Sequence, residues 1–403
     1  MKHLVGVSSG PGSRIATRSL VNKDDVQSMR PEVAEKLAAV VTKIRRRYQS
    51  PDSRPWIVGF SGGKDSTLLL QLVFEAIRAT PPRLRRRPVY VLSSDTRVET
   101  PAIIEFLEQQ IRTISEGAMS LALPISAHLV RPEIHETYWS RLIGYGYPAP
   151  NKWFRWCTER LKIKPSNAFI VNQIDAYGEV IILLGTRYDE SAARAKSIRR
   201  HEGDDDLNPH SVLRSAYVWA PIKEVLNDEV WEILAFSPPP WGGTHRGLQN
   251  LYKQANSGEC PLVIDETTKP CGNSRFGCWT CTVVERDRSM EGFIGSGRDE
   301  YRGMAAFRDW LIELRDNPGV YREPVRRNGE PGNGPLKMSV RQEVLRRLLL
   351  LQDELGQELI SGEEVALIRQ IWVSDRLIPS RIDLGPEGDL PIEEQDLLQE
   401  SLV

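Results

Sequence analysis

The chain has 403 residues, enough for one large α/β domain with additional segments. Lysine and arginine number 53 against 54 for aspartate and glutamate, so the formal net charge of −1 gives no overall basic signature for nucleic acid. With five cysteines, no long apolar run and no signal-like N-terminus, we expect a cytoplasmic protein in which clustered cysteines bind metal rather than form disulfides.

The first predicted elements are a helix and a strand that lead into a turn of small residues. Apolar residues between Val33 and Ile44 are spaced for an amphipathic helix, and Trp56–Phe60 is typical of a buried parallel strand. A well-buried helix follows, with apolar residues from Leu68 to Ile77. Six residues separate that strand from that helix: Ser61, Gly62, Gly63, Lys64, Asp65 and Ser66.

This turn has the properties of a phosphate cradle. A strand-to-helix turn directs several free backbone N–H groups to one place, at the positive end of the helix dipole. Gly62 and Gly63 let the backbone approach an anion without a clash from Cβ. Serine hydroxyls add donors and Lys64 adds charge, in a spacing that differs from the nucleoside-triphosphatase P-loop. An ordinary capped helix after a glycine turn is the alternative.

Strands and helices then alternate along the chain. A second strand is predicted at 88–93, a helix at 103–114, a third strand at 127–130, a fourth at 180–185, and a helix from about Ser191. This alternation predicts an α/β, doubly wound, mainly parallel sheet, in which ligands bind at the carboxyl ends of the strands.

Polar residues follow the second and fourth strands. Asp95 and Thr96 come after the second strand, where they can orient a ribose or a Mg²⁺ ion; a helix N-cap is the alternative. Gly185 lets the chain turn close to a ligand, and Arg187 and Arg194 can clamp phosphate through bidentate hydrogen bonds. A surface helix with an internal ion pair is the alternative for this second segment.

The pattern changes after about residue 236, where a cysteine-rich loop region begins. Helices return after 300, and Ser339 and Ser361 each precede a glutamine or glutamate by three residues, which predicts two capping boxes. We therefore expect an N-terminal extension and helix (1–53), a nucleotide-binding α/β domain (54–236), a cysteine-rich region (237–298), a helical subdomain (299–380) and an acidic tail (381–403).

Four of the five cysteines lie within 22 residues, spaced C-x10-C-x6-C-x2-C. Four thiolates so close suit either a tetrahedral zinc ion or a [4Fe–4S] cluster, and the spacing leaves the two open. The expected metal ligands are Cys260, Cys271, Cys278 and Cys281.

The motif S-G-G-x-D-S resembles the pyrophosphate loop of the N-type ATP pyrophosphatases, which implies an adenine nucleotide alpha hydrolase-like fold. Together with DT…ET, CTERLKIKP and GTRYDESAAR, it is similar to the adenylyl-sulfate and phosphoadenylyl-sulfate reductase branch of that superfamily. The chain departs from those reductases at two places. Trp156 precedes Cys157 instead of a second cysteine, and their C-terminal catalytic cysteine is absent because the last cysteine is Cys281.

The segments PAPNKWFRWCTERLKIKPSN and PCGNSRFGCWTCTVVERDRSM closely resemble the sulfurtransferases of bacterial DNA phosphorothioation, the DndC family and its SspD-type relatives. The resemblance runs from about Arg54 to about Met290. It implies an iron–sulfur ATP pyrophosphatase that helps to replace a non-bridging oxygen of the DNA backbone with sulfur. It also implies ATP, Mg²⁺ and a [4Fe–4S] cluster as cofactors, with DNA, a cysteine desulfurase and other phosphorothioation proteins as partners. Asp65, Lys64 and Cys157 are then the expected catalytic residues.

Cys157 has three candidate roles. It could carry sulfur as a thiol activated by Arg155, Arg160 or Lys162, because cationic neighbours favour the thiolate. It could instead be a cluster ligand that displaces one of the clustered four, Cys260, or it could be an inert buried thiol. We expect the clustered four to hold the cluster and Cys157 to carry sulfur.

Two other functions fit the sequence. A sulfonucleotide reductase would release sulfite from phosphoadenylyl sulfate with a thiol donor. A non-catalytic, cluster-bearing DNA-binding or assembly subunit would bind ATP tightly and release no pyrophosphate.

Overall fold

A computed structural model of the chain describes residues 29–200, 206–255 and 277–377. The strands are β1 (Trp56–Gly59), β2 (Val89–Ser94), β3 (Ile125–Val130), β4 (Val180–Leu183), β5 (Asn208–Pro209) and β6 (Ala216–Trp219). The main helices are α1 (Pro31–Tyr48), α2 (Lys64–Arg78), α3 (Pro101–Ser120), α4 (Lys164–Tyr177), α5 (Ala192–Arg200), α6 (Asn227–Phe236), α7 (Arg246–Ala255), α8 (Arg288–Gly295), α9 (Arg302–Asp316), α10 (Met338–Leu355) and α11 (Gly362–Leu377). In these three ranges no helix is both long enough and apolar enough to cross a membrane.

The six strands form one sheet in the order β3-β2-β1-β4-β6-β5. Strand β1 runs parallel to β2 and β4, strand β4 runs parallel to β6, and only the short β5 is shown to pair in the antiparallel direction. The prediction of a mainly parallel α/β sheet is therefore confirmed. The four strands predicted from the sequence form where expected, whereas β6 was missed although its apolar run resembles that of β4.

The central strand and the helix after it determine where the turn between them lies. All four residues of β1 are buried, and Leu68, Leu69 and Leu70 of α2 have no exposed surface. A strand that is buried on both faces requires cover on both faces, so α2 has to fold back onto the sheet directly after β1. Residues 60–63 make that reversal, and their backbone therefore lies at the carboxyl end of the central strand.

The described chain forms two compact units, each drawn from several chain segments. The first comprises residues 29–93, 106–128 and 170–250, and the second comprises residues 94–105, 129–169 and the chain after 250. The five consecutive regions expected from the sequence remain predictions, as do the structures of the N-terminal residues 1–28 and the acidic tail, which lie outside the described residues.

In the second unit, the C-terminal helices pack against the segment around Trp139. The indole N–H of Trp139 donates to the carbonyl of Leu359 at 2.7 Å, and the indole N–H of Trp372 donates to the carbonyl of Ile143 at 3.0 Å. These two bonds join α11 and the residues before it to residues 139–144. The predicted helices after residue 300 are thus present, and they share their unit with residues 129–169.

One of the two predicted capping boxes forms and the other does not. The Ser361 hydroxyl accepts from the Glu364 N–H at 3.2 Å, and the Glu364 carboxylate accepts from the Ser361 N–H at 3.0 Å. The box at Ser339 is wrong, because α10 begins at Met338 and its cap residue is Lys337. Ser339 is therefore already inside the first turn, where its side chain cannot serve as the cap.

Replacing Ser361 with alanine is expected to lower the free energy of unfolding by about 1 kcal/mol, the usual effect of losing an N-cap side chain. Urea unfolding of the two variants measures the difference. Ser339→Ala serves as the matched control and should leave the midpoint unchanged. An equal loss in both variants would show that the cap at Ser361 contributes nothing specific.

A buried histidine ties α2 to the chain after α6 in the first unit. The ring Nε2 of His245 lies 2.9 Å from the Gln71 side-chain oxygen, and the Gln71 amide donates to the Ser237 hydroxyl at 2.8 Å. Burial lowers the pKa of His245 to about 4. The folded state therefore keeps this ring neutral at pH values where the unfolded chain already binds a proton.

We expect this difference to make the protein less stable in acid. Above about pH 6.5 His245 is neutral in both states and does not reduce stability. As the pH falls toward about 4, the unfolded chain binds a proton that the folded ring does not, and the free energy of unfolding falls by about 3 kcal/mol in total. Urea unfolding across this pH range should show a shallower pH dependence for His245→Gln, which does not titrate. Identical pH dependence in the two proteins would contradict this assignment.

Candidate functional site

The predicted phosphate cradle forms at the carboxyl end of β1, and two glycines make its shape possible. Gly62 has a φ of +74°, a conformation that residues with a side chain rarely adopt, and Gly63 is the cap residue of α2. Gly185, just after β4, approaches the same turn so closely that a Cβ there would lie 2.9 Å from the Asp65 carbonyl. The first turn of α2 leaves its N–H groups without partners inside the helix, so they are available to an anion.

Two serine hydroxyls hold the turn in this form. The hydroxyls of Ser61 and Ser66 lie 3.1 Å apart, and Ser66 accepts from the Ser61 N–H at 3.2 Å. The Ser66 hydroxyl also lies 2.9 Å from the Gly63 carbonyl, to which it can donate. The side chains at the two ends of the turn thus contact each other, and the backbone between them is fixed before any ligand arrives.

Three buried charged residues form the floor of the cradle. The Asp65 carboxylate accepts from the Lys64 ammonium at 2.6 Å and from Nε of Arg187 at 2.5 Å. Arg187 is only 1% exposed and also donates to the Val225 carbonyl at 3.0 Å. Two cations share one carboxylate, so the cluster has a net positive charge in a site of low dielectric, where it attracts an anion more strongly than at the surface.

The Asp95–Thr96 segment belongs to the second unit. The buried Asp95 carboxylate accepts from Nε of Arg131 at 2.7 Å and from the Arg97 N–H at 2.8 Å, and no helix begins at this residue. Its predicted contact with a ribose or Mg²⁺ remains a prediction. Thr96 donates its hydroxyl to Glu99 at 2.6 Å, and the same oxygen lies 3.4 Å from the Cys278 sulfur.

The second unit brings Cys157 into the neighbourhood of Cys278 and Cys281. Tyr138 is fully buried there, and its pKa is raised first by burial and then by the charge of each of these three thiols in its ionised form. Cys278 pairs with Glu99 in an isolated β-bridge, and the N–H of Cys281 donates to the Cys278 carbonyl at 3.0 Å. All three are free thiols. The described cysteines are thus neighbours, although the sequence separates Cys157 from the other two.

The expectation that cationic neighbours lower the pKa of Cys157 is wrong for the protein without a bound group. Burial, followed by the charge of Cys281, raises the pKa of Cys157 to about 11, and Lys162 opposes this rise only in part. Burial and then Glu99 raise the pKa of Cys278 well above its ordinary range. Cys157 and Cys278 are therefore protonated unless a positively charged group binds them.

These thiols have the chemistry that an iron–sulfur cluster or a zinc ion requires, because both groups bind deprotonated sulfur. Cys260 and Cys271, the other two predicted ligands, lie outside the described residues, as does the side chain of Arg194. Within residues 29–200, 206–255 and 277–377, no three histidine, cysteine or acidic side chains are close enough to hold a single metal ion.

Sequence reasoning missed several residues that line the cysteine site. Tyr138 comes from a segment that carries no metal-binding pattern. Glu99 was grouped with Asp95 as a ribose or Mg²⁺ contact, whereas the structure pairs it with Cys278, and burial followed by the charge of Asp95 raises its pKa to about 6. Lys162 lies in the quoted CTERLKIKP segment but was considered only as an activator of Cys157. No signal in the sequence pointed to Tyr138, which lies between Thr137 and Trp139 in a segment without a recognisable motif.

A curated relative is 28% identical over 232 residues: an uncharacterized protein of Methanocaldococcus jannaschii. The match takes in 58% of this chain but only 37% of that protein, so the chain spans about a third of its relative's length.

Three solved structures are remote likenesses. The phosphoadenylyl-sulfate reductase of Candida auris in a phosphate complex is 13% identical, with 47% of this chain and 76% of that chain covered and a TM-score of 0.29. The U34-tRNA thiolase NcsA of Methanococcus maripaludis with its [4Fe-4S] cluster is 11% identical, with 72% of this chain and 82% of that chain covered and a TM-score of 0.30. The NH3-dependent NAD synthetase of Campylobacter jejuni is 11% identical, with 73% of this chain and 99% of that chain covered and a TM-score of 0.30.

The family model of the phosphoadenosine phosphosulfate reductase domain matches residues 55–284. These residues begin at the strand before the cradle and end just after the last cysteine, so the match contains both candidate sites. The predicted reductase-like branch is thereby confirmed, whereas the closer resemblance to DNA phosphorothioation sulfurtransferases stays a prediction. Since the match covers more than half of its length, the chain belongs to the phosphoadenosine phosphosulfate reductase domain family.

Proposed function

We propose that this chain is an ATP pyrophosphatase and sulfurtransferase that prepares a phosphate of the DNA backbone for replacement of one oxygen by sulfur. The observation that carries the proposal is the preformed turn, in which the positive φ of Gly62 and the close approach of Gly185 to Asp65 set the start of α2 beside the buried Lys64–Asp65–Arg187 cluster. A site of this construction suits the phosphates of a nucleotide. The choice of DNA rests on the resemblance of the two cysteine-containing segments.

In the proposed first step, a DNA phosphate oxygen attacks the α-phosphorus of ATP and pyrophosphate leaves. The N–H groups at the start of α2 hold the departing phosphates, and Lys64 and Arg187 neutralise the negative charge that develops on them. Asp65 positions these two cations, because its two carboxylate oxygens bind one of them each. Mg²⁺ would share the phosphate charge, as it does in other reactions of ATP.

In the second step, a persulfide sulfur supplied through a cysteine desulfurase attacks the adenylated DNA phosphorus, and AMP leaves. The new sulfur is then joined to phosphorus on one side and to the carrier sulfur on the other. A second thiol attacks the carrier sulfur, which leaves sulfur on the DNA and converts the two thiols into a disulfide. Each turnover therefore consumes one ATP and one persulfide and oxidises one further thiol.

A [4Fe–4S] cluster fits the cysteine site, and Cys278, Cys281 and Cys157 are the described residues that would hold it. Such a group would supply soft, thiolate-bound iron, to which sulfur binds readily. The buried ring of Tyr138 covers part of this site, and the charge of Lys162 lowers the pKa of Cys157 and Cys278, which favours the ionised thiols.

The proposal is tested by mass spectrometry of DNA from cells with and without the gene, each carrying the partner genes. Phosphorothioate dinucleotides should appear only when the gene is present, and a Ser61→Ala gene should not restore them. Sulfur in the DNA of cells that lack the gene would refute the proposal.

The family favours one other function, reduction of a sulfonucleotide. That activity would release sulfite from phosphoadenylyl sulfate with a thiol donor and would need no ATP cleavage. Purified protein that releases sulfite but no pyrophosphate would establish this second function instead. Tight ATP binding with no turnover of either substrate in the complete system would identify a non-catalytic subunit.

A further inference from the structure

The second unit displays a tryptophan in solvent on a short, fixed loop. Trp153 is 94% exposed, more than any other large hydrophobic side chain among the described residues. Tryptophan has the largest apolar surface of all side chains. Leaving it in water therefore gives up more of the favourable free energy of burial than exposing any other side chain. Tryptophan is enriched at interfaces, and here Phe154 beside it is also exposed, so the two rings are a candidate contact for a partner.

The Trp153 loop, residues 150–154, is held at both ends. The Pro150 carbonyl accepts from the Thr282 hydroxyl at 2.6 Å and from Arg315 at 3.2 Å. The Asn151 side-chain oxygen accepts from the N–H groups of Trp153 and Phe154, each at 2.8 Å. The backbone is thus fixed before any partner binds, and little conformational entropy remains to be lost on binding.

The next residue of the loop, Phe154, is 44% exposed, and its ring also contacts a neighbouring aromatic side chain. The ring of Phe154 stacks on Tyr147 at a centroid distance of 6.3 Å and an angle of 14°. Tyr147 in turn meets the buried ring of Trp156 at 5.5 Å. The exposed indole is therefore next to a cluster of aromatic rings, Phe154, Tyr147 and Trp156, which continues into the core of the unit.

The surroundings of this aromatic cluster are rich in positively charged side chains. The guanidinium groups of Arg141 and Arg160 each lie 5.7 Å from the Tyr147 ring centre, and both bind the single carboxylate of Glu136. Lys152, next to Trp153, is 65% exposed and lies 3.8 Å from a carboxylate oxygen of Glu285. Between residues 141 and 164 the chain has six cations and one anion: Arg141, Lys152, Arg155, Arg160, Lys162 and Lys164 against Glu159.

We propose that Trp153 stacks on a base of the DNA substrate while the neighbouring cations contact its phosphates. An exposed aromatic ring among cations is the combination that binds nucleic acid strands, because every base offers a flat face and every phosphate a negative charge. With Glu136 and Glu285 counted as well, six cations still outnumber three anions, and this excess favours a nucleic acid over a protein surface of balanced charge. The choice of DNA rests on the proposed function, but the stacking itself does not require ATP, sulfur or a desulfurase.

The test measures binding of the full-length protein to a fluorescein-labelled, single-stranded DNA 20-mer by fluorescence anisotropy, without ATP or partner proteins. Trp153→Ala should weaken binding roughly tenfold, the usual effect of losing one stacked base, with an unchanged dependence on salt. Trp153→Phe should restore most of the affinity, because it keeps a ring that can stack. Lys152→Ala should instead lower the salt dependence by about 0.7, the value for one phosphate contact on a single strand.

The matched control is Val320→Ala, which shortens another exposed apolar side chain of the same unit and should leave affinity unchanged. Equal affinity of Trp153→Ala and the parent protein overturns the proposal, as does a loss confined to an RNA of the same sequence. If Trp153→Ala abolishes capture of the cysteine desulfurase but leaves the DNA affinity intact, the loop binds a protein partner. This result also overturns the proposal. Normal DNA binding without DNA sulfur would refute the proposed function alone.

Discussion

Replacing Ser61 or Asp65 with alanine is expected to abolish pyrophosphate release, by at least about a hundredfold, the size of effect seen when a preorganised charge-stabilising group is lost. Asp65→Ala removes the carboxylate that Lys64 and Arg187 share, so both cations remain buried without it. Breaking a buried ion pair in this way costs about 3 to 5 kcal/mol of stability. Loss of activity in Asp65→Ala alone would thus combine two effects.

Ser61→Ala separates the loss of activity from the loss of stability. Its hydroxyl contacts the Gly63 N–H and the Ser66 hydroxyl at the edge of the cradle, and losing those bonds should cost only about 1 kcal/mol. Ser50→Ala, a serine of the same unit that donates to the Arg47 carbonyl, is the matched control and should keep full turnover. Anaerobic turnover of ATP with DNA and partner proteins gives the readout. Normal pyrophosphate release by a folded Ser61→Ala protein would remove the cradle assignment.

Replacing Cys157 with serine is expected to yield a protein that loses most of its iron and its broad visible absorbance on anaerobic purification. The sequence alone favoured a sulfur-carrying role, in which the colour would remain. Cys157 and Cys281 are near enough that the charge of Cys281 raises the pKa of Cys157, and this proximity favours the alternative in which Cys157 is a ligand. Losing one of three or four thiolate ligands should release the cluster.

Cys278→Ser is the positive control and should lose its colour in the same way, while Cys260→Ser tests the ligand that Cys157 would displace. A brown Cys157→Ser protein that no longer transfers sulfur would restore the sulfur-carrying role. A colourless parent protein with stoichiometric zinc would rule out the iron–sulfur cluster altogether. Iron and zinc analysis together with absorbance spectra distinguishes these outcomes.

Local patterns were sufficient to predict the turn after β1 and the strands around it. The apolar run of β1, the small residues after it and the apolar helix beyond them each constrain only their own backbone, so they can be recognised in a few residues of sequence. The capping box at Ser361 formed for the same reason. The box at Ser339 did not form, because α10 begins one residue earlier, at Met338, and a short pattern does not fix a helix end to one residue.

The sequence by itself thus determined the fold class, the reductase-like domain family and the place of the glycine turn after β1. The tertiary structure alone decided which distant residues complete each site. Arg187 meets Asp65 across 122 positions of sequence, and Thr96 meets Cys278 across 182. The burial that raises the pKa of Cys157 likewise comes from the surrounding unit and not from its sequence neighbours. Such contacts depend on how whole helices and strands pack, and no short stretch of sequence encodes that packing.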